Sequence, residues 1–194
     1  MSSKEKNTRD RILHATWQLM EQNLGKTISM SDVAKAAGIS RQAVYLHFQS
    51  RTDLMVATSS YVDELKNLKE RLDQFHSVTD GIEMLDACID LWGNYIPEIY
   101  GLAKALMTTR DTDDATAVVW KGNMGSLRKV CLKTLSTLDS EGRLAQQWSV
   151  DQAVDMFWTL LSVSNWEQLT KDCGWSNEQY LARTKQLAKH TFVI

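Results

Sequence analysis

Apolar positions recur at helical spacing along most of the chain. Leu13, Trp17, Met20 and Leu24 form a first stripe, and Asn7 or Thr8 can cap a helix reaching about Gln22. From Leu54 onward, Thr58, Tyr61, Leu65, Leu68, Leu72 and Phe75 alternate in steps of four and three. With no Pro or Gly between 51 and 75, this predicts one helix of roughly 35 Å at 1.5 Å per residue. Its period of 3.5 is also that of a short coiled-coil seam. After a break at 77–81, two adjacent stripes, Met84-Cys88-Leu91-Tyr95 and Leu85-Ile89-Trp92-Ile96, predict a helix buried over much of its circumference. Pro97 suits the first turn of a further helix through Met107, followed by a polar loop at 108–113. Another helix begins at Asp113 or Asp114, with Trp120, Met124, Leu127, Cys131 and Leu138 inward. Ser149-x-x-Gln152 and Ser176-x-x-Gln179 are capping-box patterns that open two last helices, about 150–172 and 177–191. The pattern is all-α.

One stretch, 29–51, differs from these long periodic segments. Ser29 can cap a short helix with Asp32 in the reciprocal position, and Met30, Val33, Ala34 and Ala37 give that helix an apolar side. Gly38 stands where a helix end needs positive φ, Ile39 plugs the turn, and Ser40 caps a second helix. Val44 and Phe48 pack back; Arg41, Gln42, Tyr45 and His47 project outward. This is a helix-turn-helix, which offers a polar, aromatic face to a DNA groove, although paired helices of this kind also occur with a purely structural role.

Charge favours the first reading. The net charge is −2, but residues 1–51 carry eight Lys/Arg against four Asp/Glu, and the remainder carries 14 against 20. A basic head on an acidic body suits a molecule that meets phosphate at one end. Lys4, Lys6, Arg9 and Arg11 crowd the first helix and are phosphate candidates. Cys88, Cys131 and Cys173 are odd in number and far apart, which points to free thiols rather than a zinc site or disulfide framework. No apolar run reaches the roughly 20 residues of a membrane span, and a cytoplasmic protein is expected.

Residues Ile12-Leu13, Ala15, Gly25, Ser29, Val33-Ala34, Ala37-Gly38-Ile39-Ser40, Tyr45-Leu46-His47-Phe48, Ser50-Arg51 and Leu54 resemble the DNA-binding domain of the tetracycline-repressor (TetR) family. Arg51 stands where that family usually has lysine. The resemblance covers the first quarter of the chain. It implies a helix-turn-helix domain over 1–51, a linking helix over about 51–76, and a ligand-binding and dimerisation domain over 77–194. It also implies that Ser29, Ser31, Ser40, Tyr45, His47 and Arg51 contact phosphate, while Arg41 and Gln42, at the N-terminal end of the recognition helix, read bases.

No GxSxG, HExxH or glycine-rich phosphate loop occurs, and the four histidines are scattered, so no enzyme, metal or cofactor is expected. Trp92, Tyr95, Trp120, Met124 and Trp158 offer rings and soft contacts that suit a pocket for an apolar or aromatic effector. Phe157, Leu161, Trp166, Tyr180, Leu187 and Phe192 are apolar surplus on the last helices and are the candidates for a homodimer interface. The function expected is a sequence-specific regulator binding a double-stranded operator, a repressor released by its effector, with the signal carried along 51–75. The alternative is an all-α dimeric binding or interaction module whose helix-turn-helix is only structural.

Overall fold

Short polar caps decide where most of these helices begin, and the computed structural model shows them in place. It describes the backbone of residues 3–194 and the side chains from Asn7 onward; the side chains of Lys4 and Lys6 lie outside the described residues. The helices are α1 (Ser3–Gln22), α2 (Met30–Ala36), α3 (Arg41–His47), α4 (Arg51–Leu65), α5 (Leu68–Ser77), α6 (Gly81–Thr109), α7 (Asp114–Ser140), α8 (Val150–Leu160), α9 (Val163–Glu167) and α10 (Asn177–Phe192). A π-helical turn, Gln168–Asp172, extends α9. The described residues include no strand; a single bridge joins Leu144 to Val193. Reciprocal capping boxes start α2 (Ser29 with Asp32), α4 (Ser50 with Asp53) and α10 (Ser176 with Gln179).

Three segments differ from the periodicity. The helix expected over 51–75 is two helices. Lys66 closes α4, and Asn67 takes φ 54°, a left-handed conformation that Asn reaches more easily than most residues. Leu65, which a continuous seam would bury, is 50% exposed. Pro97 starts no helix; it lies inside the unbroken α6, at the cost of one backbone hydrogen bond. The helix expected over 150–172 stops at Leu160, because Ser162 caps a new helix by accepting from the Asn165 N–H at 3.2 Å.

The chain forms two compact units that are not consecutive in sequence: Met1–Lys66 with Ile99–Asn123, and Asn67–Glu98 with Met124–Ile194. In the first, Ile12, Leu13, Val33, Val44, Leu54 and Val62 are fully buried, and Leu102, Ala105, Leu106, Ala115 and Val119 complete the same core. Gly101 lets α6 approach α1: a Cβ there would lie 2.5 Å from Glu21, whose carboxylate accepts from the Trp17 indole at 2.7 Å.

In the second unit, α6 and α7 run antiparallel, with Gly81 against Leu138. Helix α10 lies across the N-terminal half of α6. Lys185 and Lys189 donate to Asp90 and Asp86, each at 2.6 Å, and Tyr180 and Leu181 fill the space left by Gly93. Phe192 packs between Trp148 and Phe157, at 5.6 and 5.8 Å. This corrects the interface expected on the last helices. Phe157, Leu161, Trp166, Tyr180 and Phe192 are buried in the protomer's own core, and of the six candidates Leu187 alone is exposed. Tyr180, Thr184, Ala188 and Phe192, four residues apart, form the inward side of α10, and Leu187 lies off that line.

Candidate nucleic-acid interface

The helix-turn-helix is built from α2 and α3. Ser29 accepts from the Asp32 N–H at 3.2 Å, and Asp32 returns the bond to the Ser29 N–H at 3.0 Å. The Ser29 hydroxyl, which donates to the same carboxylate at 2.6 Å, and then the Ser29 N–H hold the Asp32 carboxyl below its usual range, although the group is exposed. Gly38, with φ 63°, turns the chain, and Ser40 caps α3 by accepting from the Ala43 N–H at 3.1 Å. Val44 is fully buried on one side of α3, and Phe48 is buried just past its end.

The other side of α3 is open. Arg41, Gln42 and Tyr45 are exposed, and His47 is half-buried. Arg41 donates to the Tyr45 hydroxyl at 3.4 Å, with its guanidinium 5.6 Å from the ring centroid. Ser29, Ser31 and Ser40 are exposed around the same motif. One residue that sequence reasoning passed over as a DNA contact joins them, and Arg9, already a phosphate candidate, supports the same motif. Leu46 is 83% exposed, one turn beyond Gln42, so the i,i+4 spacing was the available signal. Arg9 of α1 places its guanidinium 5.2 Å over the Phe48 ring, bracing the end of α3.

Arg51, expected on phosphate, is turned inward instead. Its Nε donates to the Ile28 carbonyl at 2.5 Å, one Nη donates to Asp113 at 2.7 Å, and the other makes a second, very short bond to the same carboxylate. A flexible lysine cannot make this fork, so the family's usual residue gave no hint of it. Burial pushes the Asp113 carboxyl up, but Arg51, the Thr116 N–H and the Thr27 hydroxyl outweigh it and hold the group below the ordinary range. A cavity beside Arg51, lined by Met20, Ile28, Met55 and Thr109, holds about 10 Å³, no more than a water needs.

The five expected effector residues do not fall into one group. Trp92 and Tyr95 lie 5.7 Å apart in the second unit, and in the same unit the Trp158 indole donates to the Met124 carbonyl at 3.2 Å. Trp120 belongs to the first unit, where Arg110 lies 5.1 Å over its ring. The second unit holds two buried donors without an acceptor, Trp92 Nε1–H and Tyr180 O–H. Burial pushes the Tyr180 hydroxyl up to about 12. Cys88 and Cys131 are buried free thiols and Cys173 is exposed; the Cys88 contact and then burial raise the Cys131 thiol well above its usual range. No described helix is long and apolar enough to cross a membrane.

Known proteins share this motif and this fold. Residues 12–58 match the family model described as bacterial regulatory proteins, tetR family. The nucleoid occlusion factor SlmA of Marinomonas sp. (strain MWYL1) is 33% identical over 64 residues; the match spans 33% of this chain and about a third, 32%, of that protein. The whole fold is similar to the fatty acid degradation regulator FadR of Bacillus halodurans (TM-score 0.73, 20% identity, 93% of this chain and 94% of that one). It is similar also to a transcriptional regulator structure from Saccharomonospora viridis in complex with choline (TM-score 0.76, 17% identity, 97% and 99%). A third is FadR of Bacillus subtilis in complex with stearoyl-CoA (TM-score 0.70, 15% identity, 92% and 95%). Residues 12–58 thus carry the helix-turn-helix of the tetR family of bacterial regulatory proteins, and the chain as a whole shares the all-helical fold of these regulators.

Proposed function

We propose that this protein is a dimeric, sequence-specific repressor released from its operator by a small molecule. The observation that carries the DNA half is the two-sided character of α3: Val44 is fully buried, while Arg41, Gln42, Tyr45 and Leu46 face solvent. A helix exposed in this way fits the major groove. Arg41 suits guanine, Gln42 suits adenine and Leu46 suits the thymine methyl. Ser29, Ser31, Ser40, Tyr45 and His47 are the proposed phosphate contacts; Arg51 is withdrawn from that group.

The effector half is supported by the second unit. Trp92 and Tyr95 provide apolar walls, and the Trp92 and Tyr180 donors lack acceptors. A buried donor without a partner is costly, so an apolar molecule carrying a carbonyl or hydroxyl acceptor gains by reaching either of them. Two similar folds were solved with choline and with stearoyl-CoA, which supports a small-molecule site in this architecture without fixing its chemistry here. Met124 and Trp158 are kept as proposed walls, and Trp120 is left out.

The dimer reading rests on the faces of α8 and α10 turned away from the protomer core, where Met156 and Leu187 are 50% and 53% exposed. A two-fold dimer presents two α3 helices to two half-sites. The direct test is selection of duplexes from a random pool, followed by titration of the best one at several salt concentrations. A regulator selects a two-fold-symmetric sequence and loses affinity steeply as salt rises. The competing all-α module, with a helix-turn-helix that is only structural, selects nothing.

A further inference from the structure

We propose that Asp113 is a positioning residue for DNA recognition. It touches no DNA; it acts as a clasp that holds both ends of the helix-turn-helix. The inference rests on the DNA-binding reading above and adds a residue outside the 12–58 segment that carries the family match.

The geometry is as follows. The motif begins at Thr27-Ile28, just before the Ser29 cap, and ends at Ser50-Arg51, just after Phe48 closes α3. Arg51 donates through Nε to the Ile28 carbonyl at 2.5 Å and through both Nη groups to Asp113. The Thr27 hydroxyl lies beside the same carboxylate and helps to hold it ionised. Start and end of the motif are thus tied to one side chain, which is only 1% exposed.

Asp113 is itself immobilised. Its Oδ1 accepts from the Ala115 and Thr116 N–H groups at 3.1 and 3.3 Å, and so caps α7. Its carbonyl accepts from the Thr116 hydroxyl at 3.0 Å, and Thr116 is bonded in turn to Thr109 at 3.1 Å. A carboxylate at a helix N-terminus, fixed by two backbone donors and a bidentate arginine, has little freedom left. It therefore presents α3 already ordered, and DNA binding does not have to bear the cost of ordering it.

The experiment uses the full chain and a duplex selected by the wild type. Asp113→Asn keeps an oxygen for the α7 cap but turns an amide donor toward the guanidinium; Arg51→Ala removes the other half and leaves the cap bonds intact. Each is expected to weaken binding at least tenfold at every salt concentration. The slope of log affinity against log salt should not change, since no phosphate contact is lost. The double variant should be no weaker than the worse single one, because both act through one bond. Amide exchange across Arg41–Phe48, measured without DNA, should quicken in each.

Should Asp113→Asn fail to fold by circular dichroism, Arg51→Ala carries the same test. A slope reduced by about one ion in Arg51→Ala would mean that Arg51 meets phosphate, and would overturn the proposal. So would unchanged affinity in both variants. A wild type that selects no duplex overturns the regulator reading itself; a binding wild type with indifferent variants overturns only the clasp.

Discussion

Lys185 and Asp90 are 95 residues apart in sequence, and their charged groups meet at 2.6 Å. With Lys189 on Asp86, this pair commits one side of α10 to α6 of the same protomer. Only the opposite side is free for a second copy. Leu187→Asp combined with Met156→Lys should yield a folded monomer, read by sedimentation at micromolar concentration. Tyr180→Ala should behave differently, destabilising the protomer by about 3–5 kcal/mol because a fully buried ring is lost. A dimer that survives the first pair of changes would place the interface elsewhere.

Recognition should divide between the two outward lines of α3. Gln42→Ala should relax the preference at one or two base pairs, by about 1–3 kcal/mol each. Leu46→Ser should do the same at a neighbouring thymine. Tyr45→Phe should weaken all duplexes alike. Selection repeated with each variant reads all three, and an unchanged logo for Gln42→Ala would remove it from the base readers.

Stability should fall at both ends of the pH range, for reasons of opposite sign. The Asp113 carboxyl is lower in the folded chain than its ordinary 3.8, so the folded state binds that proton less readily than the unfolded one. Its contribution is complete above about pH 4 and is lost as pH falls through the folded value. Tyr180 is raised from 10.0 to about 12, so its contribution is complete below pH 10 and is lost between 10 and 12, roughly 3 kcal/mol in all. Denaturant titrations across pH test both. In Tyr180→Phe the alkaline loss should shrink, and if it does not, another group is responsible.

Gly38→Ala should cost about 1–2 kcal/mol, since φ 63° is strained for any residue with a Cβ. No atom lies within 4 Å of the added carbon, so the cost is purely conformational. Thermal melting measures it, and a variant as stable as the wild type would mean that the turn can relax.

The helix-turn-helix was legible because its signals are local. Ser29, Gly38 and Ser40 each announce a backbone event within three residues, and the caps form where the pattern put them. What stayed hidden depends on distant partners. Nothing near Arg51 points to Asp113, 62 residues away. Nothing near Tyr180 says that its stripe faces α6 of the same protomer, because an apolar stripe reads alike whether it covers its own core or a symmetry mate. The break at Asn67 was missed for a third reason. Asn only permits the left-handed turn, and the flanking leucines keep helical spacing through it.

The first unit is closed by a segment that arrives late. Leu102, Ala105, Leu106, Ala115 and Val119 finish the core around Val33 and Leu54, yet 57 residues (67–123) must follow Lys66 before the last of the covering segment exists. At roughly 5–20 residues per second of synthesis, that is about 3–11 s in which the DNA-reading helices stand with one apolar side uncovered. The part of the chain made first therefore waits for a later segment before its core is complete. A ribosome that stalled between codons 66 and 99 would hold out a reading head lacking its entire lid.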